Sequence, residues 1–201
     1  EKEYEGLYCT GCEAFVQAKD LVDGLCPNHQ KAPELVKETN LFFKLSEYTE
    51  VIKKLILSNE LVIKPDSRRN EILSFFFFFL KDVSFSRPKS SLSWGIEVPG
   101  HEDQVMYVWC DALSNYLTAL GFADDSELVD RYWPADVHLI GKDITRFHCC
   151  IWPAMLLAAG LPLPKAVYVH GFVTSEGQKM SKSLGNVVDP VEFAERYGVE
   201  A

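Results

Sequence analysis

From Val105 onward the chain repeats one pattern: a short apolar run, a Gly or Asp, then a longer stretch with apolar residues at helical spacing. It runs "VMYVWC" then "DALSNYLTALGF", "VHLIG" then "KDITRFHCCIWPAMLLAAG", and "AVYVHGF" before the glycine-flanked "GQKMSKSLGN" at 177–186. Strands separated by helices favour parallel pairing through crossovers, so this half predicts an α/β fold with a parallel sheet. Asp111 and Asp143 stand where helices would begin and are expected as N-caps. In such sheets ligands gather at the carboxyl ends of the strands, where these boundary residues sit.

The preceding residues read differently. Residues 1–33 are short segments broken by Gly and Pro, holding three cysteines and one histidine, and predict a small stapled module. Residues 34–102 are expected to be two helices, over about Glu34 to Leu80, followed by extended segments and loops around Pro88, Pro99 and Gly100. The α/β part takes 103–201. Five consecutive phenylalanines, Phe75 to Phe79, fit neither an amphipathic helix nor a half-exposed strand and resemble an aggregation-prone window; the preferred reading is a local sequence irregularity, the plainer one a buried aromatic helix end, and no function is attached to them.

With 47% hydrophobic residues the chain can bury a core. Its 29 acidic against 20 basic residues give a net charge of -9, which excludes a surface built for nonspecific nucleic-acid binding. Every apolar run falls short of the ~18 residues of a membrane helix, and "EKEYEGLY" at the start lacks the apolar core of a signal peptide. A cytoplasmic location, with no membrane partner, is the expectation.

"CTGC" at 9–12 and "CPNH" at 26–29 pair a Cys-x2-Cys with a Cys-x2-His knuckle. Cys9, Cys12, Cys26 and His29 would close a tetrahedral Zn²⁺ site of the structural kind, with Gly11, Gly24 and Pro27 at the tight turns. The alternative is a disulfide with a spare thiol and a surface histidine. Cys149 and Cys150, adjacent on a helical stretch, point about 100° apart and are expected in the core.

Lys179 and Lys182, on flexible stems in a glycine-flanked loop, suit phosphate; the plainer reading is a solvated basic turn. Trp109, Ala112 and Tyr116 are spaced to share one face, as are His148 and Trp152 on the next helix. Either face would serve as a pocket wall or as ordinary aromatic core.

"KMSKS" at 179–183, followed by "LGNVVDP", resembles the signature loop of class I aminoacyl-tRNA synthetases. "SFSRP" (84–88), "YVWCDALSNY" (107–116), "HLIGKDITRFHCCIWPAMLLAAG" (138–160) and the paired knuckles are similar to segments of the methionyl-tRNA synthetase family. The resemblance covers nearly the whole chain. It implies the second half of a Rossmann-like catalytic domain, joined to a connective peptide that carries the zinc knuckles.

On that resemblance Trp109, Ala112, Leu113, Tyr116, His148, Ile151 and Trp152 are methionine contacts, with Leu113 standing where some relatives carry proline. Aromatic rings suit a thioether, each such contact being worth ~0.3–1.5 kcal/mol. Arg87 and Asp143 match a charged pair near the substrates. Gly141, Lys142, His170, Gly171 and Phe172 match the ATP side, and Lys179 and Lys182 the catalytic lysines that meet the phosphates. The implied partners are ATP with Mg²⁺, L-methionine and tRNA(Met). The first class I signature, of the His-x-Gly-His type, does not occur in these residues. The chain is therefore expected to be an internal fragment with little or no activity by itself. Two other readings are a class I synthetase for leucine, valine or cysteine, and a noncatalytic zinc-containing module, derived from a synthetase, that binds methionine or tRNA.

Overall fold

The structure, a computed structural model, describes residues 1–10, 14–27, 30–76, 80–124, 126–175, 177–180 and 185–200. In chain order the strands are β1 (Lys2–Cys9), β2 (Ala14–Val16), β3 (Glu34–Asn40), β4 (Phe42–Phe43), β5 (Val62–Lys64), β6 (Val83–Ser84), β7 (Ser86–Pro88), β8 (Glu97–Val98), β9 (His101–Met106), β10 (His138–Gly141), β11 (Ala166–His170), β12 (Thr174–Ser175) and β13 (Gln178–Lys179). The helices are α1 (Thr49–Leu57), α2 (Asp66–Phe76), α3 (Val108–Thr118), α4 (Glu127–Tyr132), α5 (Trp152–Ala158) and α6 (Pro190–Tyr197). The chain divides into two compact units, Glu1–Lys53 with Phe75–Trp133, and Lys54–Ser74 with Pro134–Ala201.

The first unit is built on antiparallel pairing. β1 lies between β2 and β3, with Cys9 opposite Ala14 and Lys2 opposite Asn40. The expected helix at Glu34 is therefore a strand. Its burial alternates, with Val36 partly covered and Glu38 and Asn40 buried, a period of two that helical spacing cannot give. Burial of these polar groups is partly offset by hydrogen bonds: Ser91 Oγ donates to Glu38 Oε1 at 2.5 Å, and Asn40 Nδ2 to Glu38 Oε2 at 3.4 Å, while Asn40 Oδ1 is buried without a partner among the described residues.

A second sheet in this unit has the order β7-β9-β8. A short polar chain stitches β3 to it: Leu41 N–H donates to Ser86 Oγ (2.8 Å), Ser86 Oγ to Gln104 Oε1 (2.6 Å), and Gln104 Nε2 to the Thr39 carbonyl (3.0 Å). The segment 82–102 is extended, as expected, but "VMYVWC" is not one strand. β9 ends at Met106 and pairs antiparallel, and the chain is helical from Val108, with Tyr107 as the N-cap. Asp111 thus lies in the first turn of α3, not at its cap.

The second unit holds the parallel sheet, in the order β10-β11-β5. β5 falls inside the stretch expected to be helical, and "DSRRN" after it opens α2. Alternation along β10 and β11 buries His138, Ile140, Val167 and Val169, while Leu139 (69% exposed) and Tyr168 (50%) lie on the other face. A single turn, Lys142–Ile144, then a π-helical turn, Phe147–Ile151, lead into α5. Pro153 has no N–H for the ordinary helical ladder, and the wider turn before it accommodates that loss. Asp143 sits inside the first of these turns, whose cap is Gly141, so it does not cap either. Side-chain caps occur instead at Ser126 of α4 and Asp189 of α6.

Cys149 and Cys150 are fully buried, as expected, and burial raises both thiols, Cys150 to about 12. Among the described residues no helix is long and apolar enough to cross a membrane. Of the phenylalanine run, Phe75 and Phe76 end α2, Phe76 being buried; Phe77 to Phe79 lie outside the described residues.

Candidate active site

The carboxyl ends of the parallel pair β10 and β11 bring Gly141 and His170 side by side in register. A side chain at Gly141 would crowd the Asp143 carboxylate. A Cβ there would lie 2.9 Å from Asp143 Oδ1 and 3.7 Å from His170 Cε1. His170 Nδ1 donates to the Gly171 carbonyl at 2.6 Å. Next in the chain, Lys142 Nζ lies 4.1 Å from the centre of the Phe172 ring, a cation–π contact that holds the ammonium over this end of the sheet. Gly141, Lys142, His170, Gly171 and Phe172 are thus gathered at one place.

β12 and β13 form a hairpin with Gly177 at φ +78°, and Lys179 pairs with Thr174. Met180 N–H donates to the Val173 carbonyl at 3.0 Å, and Val188 N–H to the Met180 thioether at 3.3 Å. Met180 therefore joins the segment before the signature loop to the one after it. Lys182 lies outside the described residues.

The second half of the expected methionine wall is a buried cluster in the same unit. His148 and Trp152 are each 2% exposed, and Ile151 is buried beside them in sequence. Trp152 Nε1 donates to His138 Nε2 at 3.2 Å, and the His138 and His148 rings meet edge-on at 5.9 Å. His148 Nδ1 donates to the Ile144 carbonyl at 3.0 Å. Burial, helped by neighbouring His148, pushes His138 down to about 4, and burial lowers His148 too, so both rings are neutral near pH 7. Sequence reasoning missed His138. Its signal was a histidine two residues before Ile140 in a strand, on the buried face.

Trp109, Ala112, Leu113 and Tyr116 all lie on α3 of the other unit. Leu113 is buried, and Trp109, Ala112 and Tyr116 are half-covered. Burial raises the Tyr116 phenol above its ordinary value. Arg87, 8% exposed, donates to Ser84 Oγ (2.8 Å) and the Ser86 carbonyl (2.7 Å), and lies 4.6 Å over the Tyr107 ring. It belongs to the same unit as α3, whereas Asp143 belongs to the other. That first unit also contains a cavity of about 760 Å³, bordered by Glu38, Arg87, Trp94, Tyr107 and Asp111.

Of the knuckles, Cys9 ends β1 and Cys26 follows a tight hairpin, and both are buried. Asp23 and Gly24, both at positive φ, turn the chain between Val22 and Leu25. The Gln30 amide then donates to the Cys26 carbonyl at 2.7 Å. Cys12 and His29 lie outside the described residues, among which no set of three ligating side chains is found.

A parallel sheet with its glycine, histidine and lysine gathered at the carboxyl edge, ahead of a KMSKS loop, is the arrangement of a class I synthetase. The family model described as "tRNA synthetases class I (M)" matches residues 1–201, and the chain belongs to that family. It is 54% identical over 200 residues to the methionine–tRNA ligase of Caldanaerobacter subterraneus subsp. tengcongensis and 48% identical over 198 to that of Rickettsia conorii. Those matches take in 99% and 98% of this chain but 31% and 38% of the two enzymes, so the chain spans about a third of such relatives. The structure of Mycobacterium tuberculosis methionyl-tRNA synthetase in complex with methionyl-adenylate superposes with a TM-score of 0.87 at 48% identity, over 99% of this chain and 40% of that one. The apo form of the same enzyme gives 0.83. Each of these relatives is a methionine enzyme, and the match does not favour a synthetase for leucine, valine or cysteine.

Proposed function

We propose that these residues are the part of a cytoplasmic methionine–tRNA ligase that seats methionine and the ATP phosphates. The observation that carries the reading is the in-register meeting of Gly141 and His170 at the sheet's carboxyl edge, in a chain of this family. The first step joins a methionine carboxylate oxygen to the α-phosphorus of ATP while the bond to the pyrophosphate oxygen breaks. The second passes the methionyl group to a hydroxyl of the terminal adenosine of tRNA(Met), releasing AMP.

Little proton transfer is needed from side chains, so positioning and electrostatics supply the rate. Gly141 lets backbone approach the nucleotide, and Phe172 holds Lys142 extended beside it. Lys179 and Lys182 meet the charge that grows on the leaving pyrophosphate, with Mg²⁺ carried in by ATP as a Lewis acid. Trp109, Ala112, Leu113 and Tyr116, and likewise His148, Ile151 and Trp152, are residues that contact the methionine side chain. Arg87 and Asp143 hold the charged ends of the substrates.

Cys9, Cys12, Cys26 and His29 bind a structural Zn²⁺. The burial of Cys9 and Cys26 suits a thiolate-rich tetrahedral site. The test of the loop's role is Lys182→Ala in the full-length protein. Adenylate formation should fall at least 100-fold or so, the scale on which lost transition-state contacts act, with methionine affinity by calorimetry unchanged. Equal losses in both would overturn it.

A further inference from the structure

We infer that His138 is a positioning residue for the methionine wall, holding the Trp152 indole in place through its Nε2 and bracing the His148 ring edge-on. The inference rests on the proposed roles of His148 and Trp152 and adds a residue that touches neither substrate. Geometry fixes its chemistry. An indole N–H only donates, so the 3.2 Å contact requires a lone pair on His138 Nε2, and the ring is the neutral tautomer with its proton on Nδ1. His148 is oriented from the far side, because its Nδ1–H is committed to the Ile144 carbonyl. That leaves His148 Nε2 as an acceptor.

His138 itself is 4% exposed, and it is anchored on β10 three residues before Gly141. One strand thus carries both the glycine of the nucleotide side and the histidine that aims the amino-acid side. A strand is a stiffer mount than a loop for a residue that must hold two rings. The π-helical turn keeps His148 and Trp152 on the side of the helix that faces β10, since both rings reach His138.

The experiment is a double-mutant cycle in the full-length protein, read by methionine-dependent pyrophosphate exchange. His138→Leu removes the acceptor, Trp152→Phe removes the donor, and His138→Gln keeps an oxygen near the place of Nε2. His138→Leu should raise KM for methionine roughly tenfold, as expected when a buried donor loses its partner. KM for ATP and kcat should stay within about twofold, the pattern of lost uniform binding. His138→Gln should restore most of the methionine KM, and the effect of His138→Leu should shrink once Trp152→Phe is present, leaving only the share owed to the His148 contact.

A wild-type methionine KM in His138→Leu would overturn the inference, as would an effect that persists undiminished beside Trp152→Phe. If Trp152→Phe and His148→Ala also leave that KM unchanged, the underlying reading of the wall fails as well. If they raise it while His138→Leu does not, only the role of His138 fails. Should His138→Leu not fold, His138→Gln decides: near-wild-type methionine KM supports the role, and a rise matching that of Trp152→Phe contradicts it.

Discussion

At Gly141 the backbone is in an ordinary extended conformation, φ -74° and ψ 153°, so the glycine answers to space and not to backbone freedom. The atom a Cβ would meet at 2.9 Å is a carboxylate oxygen at the end of the Asp143 side chain, which can swing aside. Gly141→Ala should therefore fold with a denaturation midpoint near that of the wild type, within about 1 kcal/mol. It should nevertheless slow adenylate formation about tenfold or more, because Asp143 is displaced and the approach to the nucleotide is blocked. Stopped-flow measurement of adenylate formation beside a urea titration separates the two. The glycine and its neighbours Lys142 and Asp143 were legible in the sequence because they follow an apolar strand. His138 was not, because one histidine in a strand looks the same whether it fills a core or aims two rings.

Helix α3 and the β10–π-helix pair show what periodicity can and cannot deliver. The face read from spacing, Trp109, Ala112 and Tyr116, is half-covered, while the buried face of α3 is Leu113 and Leu117 at i, i+4. Leu113→Ala should cost ~2–5 kcal/mol, the range for emptying a packed leucine site, seen as a lower urea midpoint. β3 could not be read that way, because two of its inward residues are Glu38 and Asn40, and apolar counting does not register hydrogen-bonded polar groups inside. β5 escaped because three residues are too few for a period to declare itself.

The histidine pair gives this scale a pH signature. With His138 at about 4 when folded and an ordinary value near 6.5, the unfolded chain takes up protons first as pH falls. Stability should be flat above about pH 6.5 and decline as pH drops from there toward 4, with His148 adding in the same direction. Asp82, which the Lys2 and Ser46 hydrogen bonds hold down at about 2, acts in the same direction but only below 3.8, so it does not overlap the histidine window. Urea midpoints at pH 7 and pH 5 should differ less in His138→Gln than in the wild type. An equal drop in both would show that the slope arises elsewhere.

For the whole molecule, the sequence motifs carried the family and the kind of sheet, while the arrangement of the first unit emerged only from strand pairing. The "VMYVWC" run misled because a parallel strand and the end of an antiparallel one followed by a helix have the same apolar content. The knuckles make a prediction at this scale too. The full-length protein should carry one zinc per chain by elemental analysis, and Cys26→Ala should release it and lower the thermal midpoint, since a structural zinc contributes its binding energy to folding. Full metal content in Cys26→Ala would contradict the assignment.

The central claim is that this chain supplies the methionine and phosphate side of an activating site, and the most direct test is exchange of labelled pyrophosphate into ATP by the full-length protein. Methionine should support exchange, leucine, valine and cysteine should not, and Lys182→Ala should abolish it. Exchange driven by another amino acid, or none with methionine in a folded, zinc-loaded protein, would contradict the account.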